Sequence, residues 1–225
     1  MFDRTIKLIG TENYQKLKNS HILVLGVGGV GGYAIETLIR SGLENITIVD
    51  YDKIDLSNIN RQIIALSTNI GTTKVEAWQE RIHMINPNVN VKIINEKIGS
   101  DNIDILFHDK YDFIVDACDT LIVKKLLIKK CKEQNINLIT VCGMGKKLNP
   151  SLVQICDIKD TSYDPLAKAL RKYVKDEHIN GKVTCVFSSE KPITNEKEVI
   201  ASMMMVPAAA GVLAASHCID KIIKN

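Results

Sequence analysis

This sequence predicts an α/β fold: a doubly wound, Rossmann-like, mostly parallel sheet with helices on both faces and a smaller C-terminal extension. Three observations predict it. Short runs of β-branched and aliphatic residues alternate with segments whose apolar residues recur at helical spacing. Gly26, Gly28 and Gly31 fall between the first such run and the first such segment, where a sheet of this class turns into its first helix. The chain has 225 residues, 45% hydrophobic and 24% charged, which suffices for a substantial core and differs from disordered or fibrous compositions.

The elements follow in order. "HILVLG" (21–26) reads as the first strand, and "GGYAIETLIRSG" (31–42) as a helix that its closing glycine can stop. "NITIVD" (45–50) is the second strand. After a polar loop, "TTKVEAWQERIHMIN" (72–86) has helical spacing and is halted by Pro87, and "VNVKIIN" (89–95) is a strand. "YDFIVDAC" (111–118) and "INLITVCG" (136–143) are two more buried strands, with the helix "LIVKKLLIKKCKEQN" (121–135) between them. Such alternation implies parallel crossover units.

Beyond about Pro150 the pattern changes. A strand "SLVQICDI" leads to a basic helical segment "DPLAKALRKYVK", then to "KVTCVFSSE", a polar loop "KPITNEKE" and a final small-residue helix. The expected division is 1–150 as a nucleotide-binding domain and 151–225 as an extension packed on it. "VIASMMMVPAAAGVLAASHCI" (199–219) is long enough to span a bilayer, but Ser202, Pro207, Gly211, Ser216 and His217 dilute it. The expectation is a buried helix packed closely through its small residues against the sheet or a sister subunit.

A net charge of +3 does not argue for nucleic acid by itself, although a balanced total can hide a basic face. The six cysteines, Cys118, Cys131, Cys142, Cys156, Cys185 and Cys218, stand far apart with no CxxC pair. That spacing argues against structural zinc and a disulfide scaffold. "MFDRTIKLIG" has no apolar leader core, so the expected location is the cytoplasm.

Gly26, Gly28 and Gly31 allow a tight turn and close backbone approach to phosphate at a helix N-terminus. Asp50 closes the second strand, where a carboxylate can accept ribose hydroxyls. These features suit any nucleotide, NAD included. The next stretch is more selective: Ser57, Asn58, Asn60, Arg61, Gln62 and Lys74 follow, and the fourth strand ends in Cys118, Asp119 and Thr120. Arg61 and Lys74 beside an anchored ribose suit a triphosphate, and Asp119 at a strand end suits Mg²⁺. A lone loop cation can equally be a solvated charge, Asp119 a helix cap, and Asn58 and Asn60 turn residues. Their joint occurrence after a glycine loop favours ATP over NAD.

"GVGGVGG", "IVDYDKIDLSNINRQ", "IGTTKVEAWQERIHMINP" and "IVDACDT" resemble the adenylating domain of the ThiF/MoeB/HesA superfamily, relatives of ubiquitin-activating enzymes. The resemblance implies that Gly29 approaches the phosphates and Asp50 binds ribose. It further implies that Asn58, Arg61 and Lys74 handle the triphosphate and that Asp119 holds Mg²⁺. It also implies a homodimer in which Arg4 of "FDRTIKLIG" reaches the other subunit's ATP. The two late CxxC pairs of the zinc-binding members are absent. "FDRTIKLIG", "DPLAKALRKYVK" and "CVFSSE" instead resemble the bacterial tRNA threonylcarbamoyladenosine dehydratases. That likeness implies ATP-dependent cyclisation of a threonylcarbamoyl side chain on tRNA.

Other readings stay open: activation of a ubiquitin-like or sulfur-carrier protein, a nucleotide-binding module without catalysis, and an NAD oxidoreductase. A sulfur-transfer partner protein is an open question. Cys185 is the candidate acyl-accepting thiol by position, or a small hydrophobe in a strand. Lys168, Arg171, Lys172 and Lys175 gather on one side of a helix and are candidates for tRNA phosphate contacts, or a solvated face. Tyr163, Tyr173 and Phe187 are the nearest aromatics for base stacking.

Overall fold

The computed structural model describes residues 1–194 and 200–224. The sheet has seven strands in the order β3-β2-β1-β4-β5-β7-β6. They are β1 (His21–Leu25), β2 (Asn45–Val49), β3 (Asn90–Ile94), β4 (Phe113–Asp116), β5 (Asn137–Val141), β6 (Val153–Asp157) and β7 (Thr184–Ser188). All pairings are parallel except β6 against β7. The strand order reverses at β1/β4, and the carboxyl ends there open the crevice where ligands bind in such sheets.

Strand alternation assigns the two faces. Ile22 and Val24 of β1 join one core with α3 (Gly31–Ser41), α4 (Lys74–Ile85) and α7 (Met205–Lys224). Leu23 and Leu25 point the other way, into a core with Val123, Leu127 and Cys131 of α5 (Leu121–Glu133). A third cluster lies between α5, α6 (Pro165–Asp176) and β7. Burying β-branched residues on both faces is what lets short strands read as near-continuous apolar runs.

The structure supplies elements in two stretches on which the sequence was silent and shifts one boundary. The segment before β1 forms two helices, α1 (Asp3–Ile9) and α2 (Thr11–Asn19), broken at Gly10, whose φ of 83° removes it from the helical region. The β3–β4 crossover carries only a short 3₁₀ turn, Ile103–Phe107. The final helix begins at Met205 rather than 199, with Pro207 in its first turn, where the missing N–H costs nothing. Residues 195–198 of the expected polar loop and Val199 lie outside the described residues.

α7 is long and apolar enough to cross a membrane by length and composition. Here Val206, Ala210, Ala214 and Cys218 are buried in the main core. A Cβ on its Gly211 would lie 2.2 Å from the Val30 carbonyl oxygen. Only glycine lets α7 approach the start of α3 so closely.

Candidate nucleotide-binding and acyl-activating site

A crevice of about 440 Å³ opens at the carboxyl ends of β1, β2, β4 and β5. Gly26, Gly28 and Gly29 line its floor, and Gly26 has φ 82°. A Cβ there would stand 2.8 Å from the Ala117 carbonyl oxygen. Gly31 does not line the crevice. A Cβ on it would sit 1.8 Å from the Gly26 oxygen, so its bareness seats the helix against the turn.

Asp50 is fixed from both sides. One carboxylate oxygen accepts the Val27 N–H at 2.9 Å and the other accepts the Asp52 N–H at 2.9 Å. This ties the end of β2 to the glycine turn and leaves lone pairs for hydroxyl donors.

The "SNINRQ" stretch folds as a compact turn. The Asp55 carboxylate accepts the Ser57 N–H at 2.8 Å, and the Asn58 side-chain oxygen accepts the Asp55 N–H at 3.1 Å. Asn58 and Arg61 line the crevice; Ser57 and Asn60 do not. Those two instead steer Arg61, whose Nη1 donates to the Ser57 carbonyl at 2.8 Å and the Asn60 side-chain oxygen at 2.9 Å. The Asn60 amide in turn donates to the Ser202 carbonyl at 2.9 Å, anchoring the turn to the approach of α7. In this structure Ser57 and Asn60 therefore support Arg61. Gln62 is buried beside Gly28, and its side-chain oxygen has no hydrogen-bond partner among the described residues. An unmet buried acceptor on a crevice wall is costly unless a ligand donor or water meets it.

Lys74 begins α4 just after the Thr73 cap. Its side chain is 6% exposed, and its ammonium donates to Asp52 at 2.6 Å. Asp52, 47% exposed, can turn to solvent and release that ammonium to a phosphate. Asp119 and Thr120 follow β4 on the rim, where Asp119 is exposed and, among the described residues, accepts only the Thr120 hydroxyl at 3.4 Å. No group of three His, Cys, Asp or Glu side chains gathers as a metal cage among the described residues. A single exposed carboxylate such as Asp119 could hold Mg²⁺ only together with phosphate oxygens and water.

One feature escaped the sequence reading. Lys124 is fully buried behind the Asp119 loop and donates to the Asp116 carboxylate at 3.0 Å, the Asp116 carbonyl at 3.3 Å and the Thr140 hydroxyl at 3.1 Å. Thr140 also donates to Asp116 at 2.6 Å. Burial alone would strip the Lys124 proton, but the Asp116 carboxylate outweighs it and holds the pKa above its ordinary value. The same carboxylate accepts the Cys118 N–H at 3.3 Å and its thiol at 3.1 Å, so the network grips the backbone just before Asp119. The signal was present: Lys124 shares a helical face with Leu127, Ile128 and Cys131.

The far half of the crevice is apolar. Met144, Leu166, Ile200 and Pro207 line it, with Ser202 as a polar exception. These walls come largely from the part of the chain after 150.

The other candidates lie outside the crevice. Cys185 is fully buried in β7 beneath α5 and α6, with its sulfur 3.7 Å from that of Cys156. Hydrogen bonding to Cys142 and burial both push its thiol far up from the ordinary value. A nucleophilic role is thus corrected to core packing, since the thiolate is the reactive form. Arg4 is exposed on α1 and does not line the crevice of its own chain. Lys168, Lys172 and Lys175 are exposed on α6, whereas Arg171 donates to the Thr161 carbonyl at 2.9 Å and to the Thr161 hydroxyl. Arg171 braces the loop before α6 rather than joining the free row. Phe187 is buried in the core and offers no stacking face; Tyr163 is 53% exposed, and Tyr173 lies under Lys125.

The comparisons agree with this geometry. The ThiF family model matches residues 2–225. The tRNA threonylcarbamoyladenosine dehydratase of Bacillus subtilis is 35% identical over 241 residues, covering 100% of this chain and 95% of that one. Among solved structures, the Escherichia coli tRNA N6-threonylcarbamoyladenosine dehydratase TcdA in complex with ATP is 36% identical. It superposes with a TM-score of 0.93 over 99% of this chain and 93% of that one. The same enzyme in complex with AMP gives the same TM-score of 0.93. The chain belongs to the ThiF family.

Proposed function

We propose that this chain is an ATP- and Mg²⁺-dependent tRNA threonylcarbamoyladenosine dehydratase that works as a homodimer in the cytoplasm. The observation that carries the reading is the likeness, over essentially the whole chain, to enzymes of that name, one of them solved with ATP and with AMP. The crevice has the parts such a reaction needs. Residues 1–150 supply the nucleotide end, and 151–225 close the acyl end.

A carboxylate is a poor electrophile because its leaving group would be oxide. In the proposed first step a carboxylate oxygen of the threonylcarbamoyl group attacks the α-phosphorus of ATP, the bond to the bridging oxygen breaks, and pyrophosphate leaves. Asp50 holds the ribose, the glycine turn admits the phosphates, and Arg61 and Lys74 stabilise the charge that grows on the leaving group. Mg²⁺ at Asp119 would supply further neutralisation of the phosphates. In the second step the neighbouring carbamoyl group attacks the activated carbonyl carbon and gives up a proton to solvent, and AMP departs with the carboxylate oxygen. The net change in the nucleoside is loss of one water. Both reacting groups belong to one substrate, so the closure is intramolecular and has a high effective concentration. No protein nucleophile is needed, in keeping with the burial of Cys185. Met144, Leu166 and Ile200 would keep water from the activated acyl group. In the dimer, Arg4 would serve the partner's crevice. Nothing in this chemistry requires a sulfur-transfer partner.

The test offers purified protein ATP with either tRNA bearing threonylcarbamoyladenosine or a carrier protein ending in Gly-Gly. AMP and pyrophosphate should form only with the tRNA, together with a nucleoside lighter by one water. AMP formed only with the carrier protein, or no nucleotide turnover with either, overturns the reading.

A further inference from the structure

A second cavity, about 370 Å³, lies at the end of the sheet opposite the crevice. Its walls are the last turn of α5, the starts of β4, β5 and β7, and one side of α7. Lys132, Lys182, Lys221 and His217 line it, and among the described residues no carboxylate does. The Lys132 ammonium is held by the Lys182 carbonyl at 2.9 Å. Lys182 and Lys221 are exposed, and their side-chain ammonium groups form no ion pair or hydrogen bond among the described residues. The acidic groups nearby are engaged elsewhere. Asp220 pairs with Lys224 at 2.6 Å, and Asp112 accepts the His21 N–H at 2.8 Å.

These cations act on one another. His217, whose ring meets Phe113 edge-on, is held below its ordinary pKa by burial first and then by Lys221; Asp220 pulls the other way, and Lys182 adds a smaller push in the direction of Lys221. An anion in the cavity would relieve that repulsion. Thr184 and Asn135, also on its walls, add neutral polar groups to the charged ones.

α6 lies between the crevice and this cavity along the chain, although none of its own residues lines the second cavity. This 12-residue helix starts beside the crevice, where Leu166 is a wall residue, and the chain leaving it reaches Lys182 on the rim of the second cavity. Twelve residues span about 18 Å. Lys168, Lys172 and Lys175 are exposed along it at the i, i+4, i+7 spacing of one face. Asp176 and Glu177 end the row, with Glu177 drawn to Lys129 at 3.9 Å.

We propose that this cavity binds phosphate and that its occupant is a backbone phosphate of the RNA strand whose modified nucleoside lies in the crevice. The lysine row of α6 carries the intervening backbone. Affinity for phosphate stands independently of the function proposed above; only the identity of the RNA rests on it.

The test follows the His217 ring signal by NMR in histidine-labelled protein, with the crevice filled by a non-hydrolysable ATP analogue. The titrants are inorganic phosphate, pyrophosphate and a short RNA stem-loop, and His217→Gln assigns the signal. Phosphate should move the signal saturably and raise the pH at which the ring titrates. The RNA should do so at lower concentration and be displaced by pyrophosphate. Lys182→Gln combined with Lys221→Gln should weaken binding roughly tenfold or more, with ATP binding unchanged. Lys172→Glu should weaken the RNA response and leave that of phosphate intact. No saturable shift with any titrant, or an equal shift in the double variant, overturns the site. A response to the free anions without one to RNA overturns the RNA occupant. Failure of the AMP assay, by contrast, bears only on the function.

Discussion

Two buried lysines, Lys74 on the wall of the crevice and Lys124 behind it, have opposite fates. Lys124 is fully buried and meets three acceptors, the carboxylate and carbonyl of Asp116 and the hydroxyl of Thr140. Lys74 is almost as buried, yet its ammonium has one partner, the half-exposed carboxylate of Asp52. A cation that has spent its donors on immovable groups can only hold structure. One whose single partner can rehydrate can be lent to a substrate. Burial alone does not separate the two; what lies at the end of each ammonium does.

Replacing each lysine tests that contrast. The largest effect should follow Lys124→Met, which leaves Asp116 as an uncompensated buried charge. Loss of about 3 to 5 kcal/mol is expected, visible as a markedly lower melting temperature with or without ATP. Lys74→Met should reverse the pattern. Adenylation, measured as AMP formation, should fall by about 10²- to 10³-fold, while stability changes by less than about 1 kcal/mol because Asp52 returns to water. If Lys74→Met unfolded the protein and Lys124→Met merely slowed it, the assignment of roles would be exchanged. The smallest effect belongs to Cys185→Ala: turnover should stay within about twofold, far below the cost of losing a nucleophile. A large loss of turnover in a folded Cys185→Ala protein would restore the covalent reading.

Much of this contrast could be seen in the sequence, and part of it could not. The seven strands and the five helices from residue 31 onward were legible because strands buried on both faces carry unbroken apolar runs and helices covering them keep a 3.6-residue period. α1 left no such signal, since none of its residues is buried. That the glycine turn, Asp50, Arg61 and Lys74 share one crevice was legible, because they follow the first two strands of a Rossmann-like sheet at close spacing. Ser57 and Asn60 were harder. Their side of the turn is set by which backbone groups Arg61 reaches, and that depends on Ser202, far along the chain. Lys124 stood among the other lysines of its helix, and only its place on the apolar face distinguished it. Composition could hint that a basic surface existed; only the fold could gather Lys132, Lys182 and Lys221 from three separate elements around one cavity.

The close seat of Gly211 against Val30 bears on the order of folding. The residues that touch the nucleotide in the proposed reaction are nearly all contributed early in the chain, yet the helix that backs the glycine turn comes from its far end. Contacts spanning so much sequence form late, because loop closure must precede them. ATP-binding competence should therefore return at the end of refolding, after the central strands have paired, which makes nucleotide binding a clock for the last step rather than the first.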